Sequence, residues 1–170
     1  MAGFTGNRAE FNGDWVKVLY HDSSNGVMFS GANDYAEAKF INPDNPNADK
    51  YSILSELESF RISGKFTFKL YYPEQTSKTN IWSQTSNPVT TSAGTVTGYT
   101  AIDVNSTSQY WGGLEKSTRP GQTFLDGSTP HNNWWYAVGC NDNYGGANTY
   151  PGPGVAITKT ELWVKYENVT

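Results

Sequence analysis

"KFTFKLYY", Lys65–Tyr72, decides the fold. Phe66, Phe68 and Leu70 fall on one side of an extended chain, and Thr67 and Lys69 on the other. A period of two marks a strand with one buried and one wetted face. The same period recurs on either side of this stretch. "WVKVLY" (Trp15–Tyr20) puts Val16, Val18 and Tyr20 on one face, and "ELWVKYE" (Glu161–Glu167) does so with Leu162, Val164 and Tyr166. "WWYAVGC" (Trp134–Cys140) is apolar on both faces and reads as a central strand. "GTVTGYTAIDV" (Gly94–Val104) reads as a further strand, with Gly98 a candidate bulge.

One helix is predicted. "YSILSELESF" (Tyr51–Phe60) spaces Ile53, Leu54, Leu57 and Phe60 helically, with Ser52 available as a cap. "YPGPGV" (Tyr150–Val155) is a stiff turn before the last strand. Short strands joined by turns predict an all-β chain, an antiparallel β-sandwich or jelly roll with one short helix near residues 51–60. The 170 residues suit a single binding domain, with residues 1–14 as a linker or junction.

Composition narrows the function. The net charge of −4 argues against a phosphate-tracking groove, and so against nucleic acid. No apolar run is long enough for a transmembrane helix, so membrane insertion is not expected. No secretion signal is visible at the N-terminus, which leaves open a removed signal, another export route or the tip of a longer chain. Aromatic residues make up 15% and charged residues only 16%, against a usual quarter charged. Such a surface suits sugars, whose rings stack on aromatic faces while their hydroxyls pair with amides and carboxylates. Protein recognition uses the same chemistry.

Catalytic signals are thin. The bases of a nucleophilic triad would have to come from His21 or His131, and no G-x-S-x-G elbow occurs. Cys140 reads as a buried small hydrophobe. Asp126 with Glu115 or Asp142 could supply the carboxylates of a glycosidase. The sequence supplies too few His and Cys residues, wrongly spaced, for zinc. "NPDNPNAD" (Asn42–Asp49) and "CNDNYGGAN" (Cys140–Asn148) are oxygen-rich and leave calcium open, although Asn and Asp commonly close their own turns. No cofactor is otherwise expected.

The aromatic residues divide. Trp15, Trp135 and Trp163 sit inside strand patterns and read as core. Trp82, Trp111 and Trp134 lie beside polar or Gly-rich sequence, where ligand contact and loop plugging are both open. The loop "DGSTPHNN" before the Trp134 strand holds an acid, a histidine and amides, and "WGGLE" can join it. The candidate ligand-binding set is therefore Trp82, Trp111, Glu115, Asp126, His131, Asn133 and Trp134, with no catalytic residue assigned.

In order along the chain, "NPDNPNADKYSILSELESFR", "GKFTFKLYYPE", "NIWSQTSNPVT", "GYTAID", "WGGLEKS", "LDGS", "HNNWWYAVG" and "PGPG" before "KTELWVKYE" resemble a known module. It is found in extracellular proteins of marine invertebrates such as corals and lancelets, and similar domains occur at the tips of microbial and phage adhesive fibres. Roughly the first thirty residues fall outside the match. The resemblance implies an extracellular or cell-surface β-rich recognition module and assigns no catalytic residue. By analogy with fibre tips, it implies a homotrimer joined to a shaft. The expected function is non-catalytic recognition of a glycan or cell-surface glycoconjugate. A protein-binding or structural fibre module is the alternative, and a carbohydrate-active hydrolase comes third.

Overall fold

The strand that decides the fold forms as its alternation requires. β4 (Phe66–Tyr71) buries Phe66, Phe68 and Leu70 completely and leaves Thr67 and Lys69 half-buried on the other face. Each such side chain contributes about 1.5–3 kcal/mol by leaving water. The computed structural model describes residues 10–105, 111–119, 121–127, 135–144 and 148–167.

β4 lies inside a seven-stranded antiparallel sheet. From one edge run β1 (Phe11–Asn12), β2 (Trp15–Asp22), β12 (Lys159–Lys165), β4, β5 (Asn80–Gln84) and β6 (Thr100–Asp103), while β3 (Lys50–Ser52) also pairs with β2. Residues 10–14, read as a possible junction, are thus partly built into the sheet: Asn12 pairs with Trp15, and the Phe11 ring meets Tyr166 edge-on at 4.9 Å. A smaller antiparallel sheet holds β7 (Leu114–Lys116), β8 (Thr123–Gly127) and β9 (Val138–Cys140). β10 (Tyr150–Pro151) and β11 (Ala156–Ile157) form a two-stranded ribbon around the "PGPG" turn. The chain is therefore all-β, antiparallel and sandwich-like. Among the described residues no helix is long and apolar enough to cross a membrane.

One continuous core joins the sheets, with Phe68, Trp82, Leu114, Leu125, Tyr136 and Val138 among its members. A buried amide ties the layers together at its centre. Gln84 Oε1 accepts from the Trp82 indole at 2.7 Å and from the Leu114 backbone N–H at 3.0 Å, and its Nε2 donates to the Leu114 carbonyl at 3.0 Å. Gly113, at φ +99°, makes room: a Cβ there would stand 2.9 Å from Gln84 Oε1.

Several expectations need correction. β2 carries a bulge. Its register with β12 slips between Leu162, opposite Leu19, and Trp163, opposite Lys17, which leaves Val18 unpaired. Val18 and Leu19 both point inward, and Tyr20 moves to the outer face instead of sharing one with Val16 and Val18. The short helix expected near residues 51–60 does form, over Leu54–Phe60, but as a 3-10 helix that begins only after β3. Its buried positions, Leu54, Leu57 and Phe60, recur every third residue, which matches three residues per turn. A short helical segment not anticipated, α1 (Ala32–Lys39), has a left-handed first turn, with Asn33, Asp34 and Tyr35 at φ +54°, +55° and +58°.

The proposed central strand 134–140 shrinks to β9 at an edge of the small sheet. Tyr136 (φ +64°) and Gly139 (φ +70°) break the extended run, and the Tyr136 and Ala137 amides donate to Gly152 and Pro151 instead. The stretch is nonetheless buried from Tyr136 to Cys140, as its composition implied. Of the strand read over 94–104, only β6 forms. Its register slip falls at Ile102 rather than Gly98.

Candidate functional site

The outer face of the large sheet gathers aromatic and charged side chains in register. Trp163 pairs with Lys17 on one side and Lys69 on the other. One step along, Glu161 pairs with Tyr20 and with Tyr71, and at the far end Lys165 pairs with Trp15. Alternation dictates this arrangement. β12 sends Leu162 and Val164 inward, so Glu161, Trp163 and Lys165 must point outward. The bulge at Val18 brings Tyr20 into the same face.

The lysines lie over the rings. Lys69 Nζ stands 4.7 Å from the Trp15 centroid and 5.3 Å from that of Trp163. Lys17 Nζ lies 4.8 Å from the Tyr20 ring, and Lys165 Nζ 5.4 Å from Trp15. Cation–π contacts of this kind contribute about 0.5–1 kcal/mol where exposed and more where dry. Two of these cations have acidic partners: Lys17 pairs with Glu10 at 2.7 Å and Lys165 with Asp14 at 3.8 Å. Among the described residues, Lys69 has no carboxylate within ion-pair distance. Burial pulls its pKa below the ordinary lysine value. Burial, with help from Asp22 and Glu161, pushes the Tyr20 phenol up to about 12.

A shallow cavity of about 330 Å³ opens here, lined by Glu10, Asn12, Lys69, Tyr71, Glu161 and Trp163. Its volume sits at the low end of ordinary ligand pockets. The Trp163 indole donates to Glu161 Oε1 at 2.9 Å, which fixes that carboxylate against the cavity wall. The cavity thus presents an ammonium, two carboxylates, of which Glu10 is taken by Lys17, a phenol and an amide beside aromatic surface.

The site expected from sequence forms only in part. Glu115 and Asp126 are directly opposed on β7 and β8. Asp126 is buried and its Oδ1 has no hydrogen-bond partner. Burial, then the Glu115 charge, raises its pKa to about 7. Trp111 is half-buried beside this pair, edge-on to Trp82 at 4.6 Å and to Tyr136 at 4.8 Å. Gly127 lets it in, since a Cβ there would lie 2.9 Å from the indole. Trp82 is no ligand contact: it is wholly buried and its N–H is consumed by Gln84. His131, Asn133 and Trp134 lie outside the described residues. Asp142 is exposed beyond β9, past the Cys140 that pairs with Thr123, and so far along the sheet from Asp126.

The remaining chemistry-bearing groups are structural. Cys140 is buried, its thiol lies 3.2 Å and 3.1 Å from the Gln122 and Asp142 carbonyls, and burial pushes its pKa to about 12. His21 stacks flat on Tyr150 at 4.7 Å and meets Phe29 edge-on at 4.9 Å. Its Nε2–H donates to the Val27 carbonyl at 2.9 Å, and burial lowers its pKa to about 4. In the first oxygen-rich loop, Asn42 donates to the Lys50 carbonyl and Asn45 accepts from the Asn47 amide, closing the turn on itself.

Trp15, read as core, is half-buried on the outer face, whereas Trp163 is buried as its strand pattern implied, at 5% exposure, but beneath the outer-face lysines rather than in the main core cluster. The signal was present. The alternation that buries Leu162 and Val164 assigns Trp163 to the opposite face. No family model, no curated protein and no solved structure matches the chain.

Proposed function

We propose that this chain is a non-catalytic recognition module that binds carbohydrate on the outer face of its large sheet. The observation that carries this reading is the cavity where Lys69 and Glu161, unpaired with each other, flank Tyr71 and Trp163. Neighbouring hydroxyls of a sugar need a donor and an acceptor a short distance apart, and Lys69 and Glu161 supply them. Tyr71 and Trp15, both half-buried, offer accessible ring surface for the C–H face of the sugar. The lining carries both signs of charge, which favours a neutral glycan over an acidic one.

A glycan array tests this reading, run with monomeric and multimerised protein because single sugar sites are weak and gain by avidity. Binding should fall at least tenfold in Tyr71→Ala and in Glu161→Gln. Silence of the multimerised protein across the array would refute the reading. Loss in Trp111→Ala or Asp126→Asn, with the outer-face variants unaffected, would move the site to the small sheet.

The reading carries with it an extracellular or cell-surface location, where glycans stand, and a trimeric display that would multiply weak contacts. Mass measurement in solution reads the oligomer. If the array is silent and the protein is a stable oligomer, a protein-binding or fibre-structural role takes precedence. A hydrolytic reading rests on the opposed Glu115 and Asp126, with Asp126 titrating near neutrality as a general acid requires. Release of reducing sugar that disappears in Glu115→Gln would support it.

A further inference from the structure

A second cavity, of about 400 Å³, lies between α1 and the small sheet, away from the outer face of the large one. Its lining is mainly apolar. Tyr35 and Phe124 stack within it, centroids 5.3 Å apart and planes at 27°. Ala93 and Thr123 complete the apolar wall, and Asp34 and Lys116 stand among the lining residues as its charges.

These two charges are not equivalent. Asp34 is consumed by Lys39, 2.7 Å away. Among the described residues, Lys116 has no carboxylate within ion-pair distance. The cavity therefore offers an aromatic wall and one uncompensated cation. Tyr35 adds a further unmet demand, because its residue is 6% exposed and its hydroxyl is buried without a hydrogen-bond partner. The wall is also held in a costly shape. Three successive residues, Asn33 to Tyr35, adopt the left-handed conformation, which Asn and Asp tolerate and Tyr does not. That turn sets the Tyr35 ring against Phe124. Strain of this kind collects at ligand sites and switches.

We propose that this cavity is a ligand site distinct from the outer face, for a compact aromatic or aliphatic body that carries one carboxylate. The apolar body lies against Tyr35 and Phe124, and the carboxylate pairs with Lys116. Charge complementarity selects this class over a neutral apolar molecule.

The probes are 2-naphthoate and its neutral counterpart 2-naphthamide, titrated into isotope-labelled full chain and followed by NMR. Naphthoate should saturate and shift the resonances of Tyr35 and Phe124, and should bind about twofold to fivefold more tightly than the amide, the range expected of a partly exposed ion pair. Lys116→Met should bring the two probes to equal affinity. Ala93→Trp, at an exposed position where folding tolerates bulk, should block both. No saturable binding up to millimolar probe would overturn the proposal. So would binding that ignores both variants, or binding abolished by Tyr71→Ala on the outer face.

Discussion

Replacing Asp126 by Asn should make stability climb with pH by about 1 kcal/mol per unit between about pH 5 and 6.5, where the unaltered protein stays nearly level. Two buried groups cause this. Packing between Tyr150 and Phe29 keeps His21 neutral, with a pKa lowered from 6.5 to about 4. In that window the unfolded chain binds a proton that the folded chain refuses. The His21 contribution is therefore complete above pH 6.5 and lost as pH falls towards 4, a change of about 3 kcal/mol at 1.36 kcal/mol per unit. Asp126 works the other way. Its pKa is raised from 3.8 to about 7, so the folded chain keeps a proton that the unfolded chain releases. Its contribution is complete below pH 3.8 and lost as pH rises through 7, a change of about 4 kcal/mol. The opposed slopes cancel where the windows overlap. Glu37 and Glu58, held below their ordinary value of 4.5, matter only at the acid end. Urea unfolding followed by tryptophan fluorescence at half-unit pH steps measures the profile, with a constant m-value as the check on two-state behaviour. A level D126N profile would show that His21 is not held neutral. An unaltered protein that already climbs at the full slope would show Asp126 ionised in the fold.

Gln84→Leu should cost about 3–9 kcal/mol, because it leaves the Trp82 indole and both Leu114 backbone groups buried without partners at about 1–3 kcal/mol each; a urea-unfolding loss below about 1 kcal/mol would contradict the clamp. Deleting Val18 should preserve cooperative thermal unfolding, since Lys17 and Leu19 would then stand side by side opposite Trp163 and Leu162, with Leu19 still inward and Tyr20 still outward. Val18→Ala, which keeps the bulge, should cost about 2 kcal/mol, and non-cooperative unfolding of the deletion variant would argue against this register.

β2, β4 and β12 of the large sheet were legible because each carries its own evidence, whereas β1, β3 and β5 were not read as strands. Phe66, Phe68 and Leu70 alternate with polar residues, and Leu162 and Val164 alternate with Glu161, Trp163 and Lys165. What stayed hidden depends on partners far along the chain. Nothing local to "WVKVLY" announces that β12 will skip Val18, yet that skip decides which way Tyr20 faces. The turn at Asn33–Tyr35 opposes the intrinsic preference of Tyr35 and exists only because tertiary contacts hold it. Leu54, Leu57 and Phe60 fit a helical spacing, and only the observed three-residue recurrence separates a 3-10 segment from an α-helix. For the site, composition pointed to aromatic and hydrogen-bonding recognition. Of the tryptophans singled out, Trp82 is corrected, because flanking polarity was weighed above strand parity. Trp82 looked exposed by its neighbours "NI" and "SQ", but Gln84 turns inward to bind it.

The placement of the tryptophans on both faces of one sheet makes the protein a two-colour reporter. Trp82 and Trp111 sit against the core, in apolar surroundings that shift indole emission to the blue. Trp15 and Trp163 lie on the opposite face beneath lysine ammoniums. A charge over the indole shifts its excited state, and a molecule seated among the lysines displaces water from the half-buried Trp15 ring. Occupancy of the outer face would then register in the second pair while the first stays silent. Denaturant would move both. One emission spectrum, resolved with a polar quencher, can thus tell a filled site from a loosened core without any label.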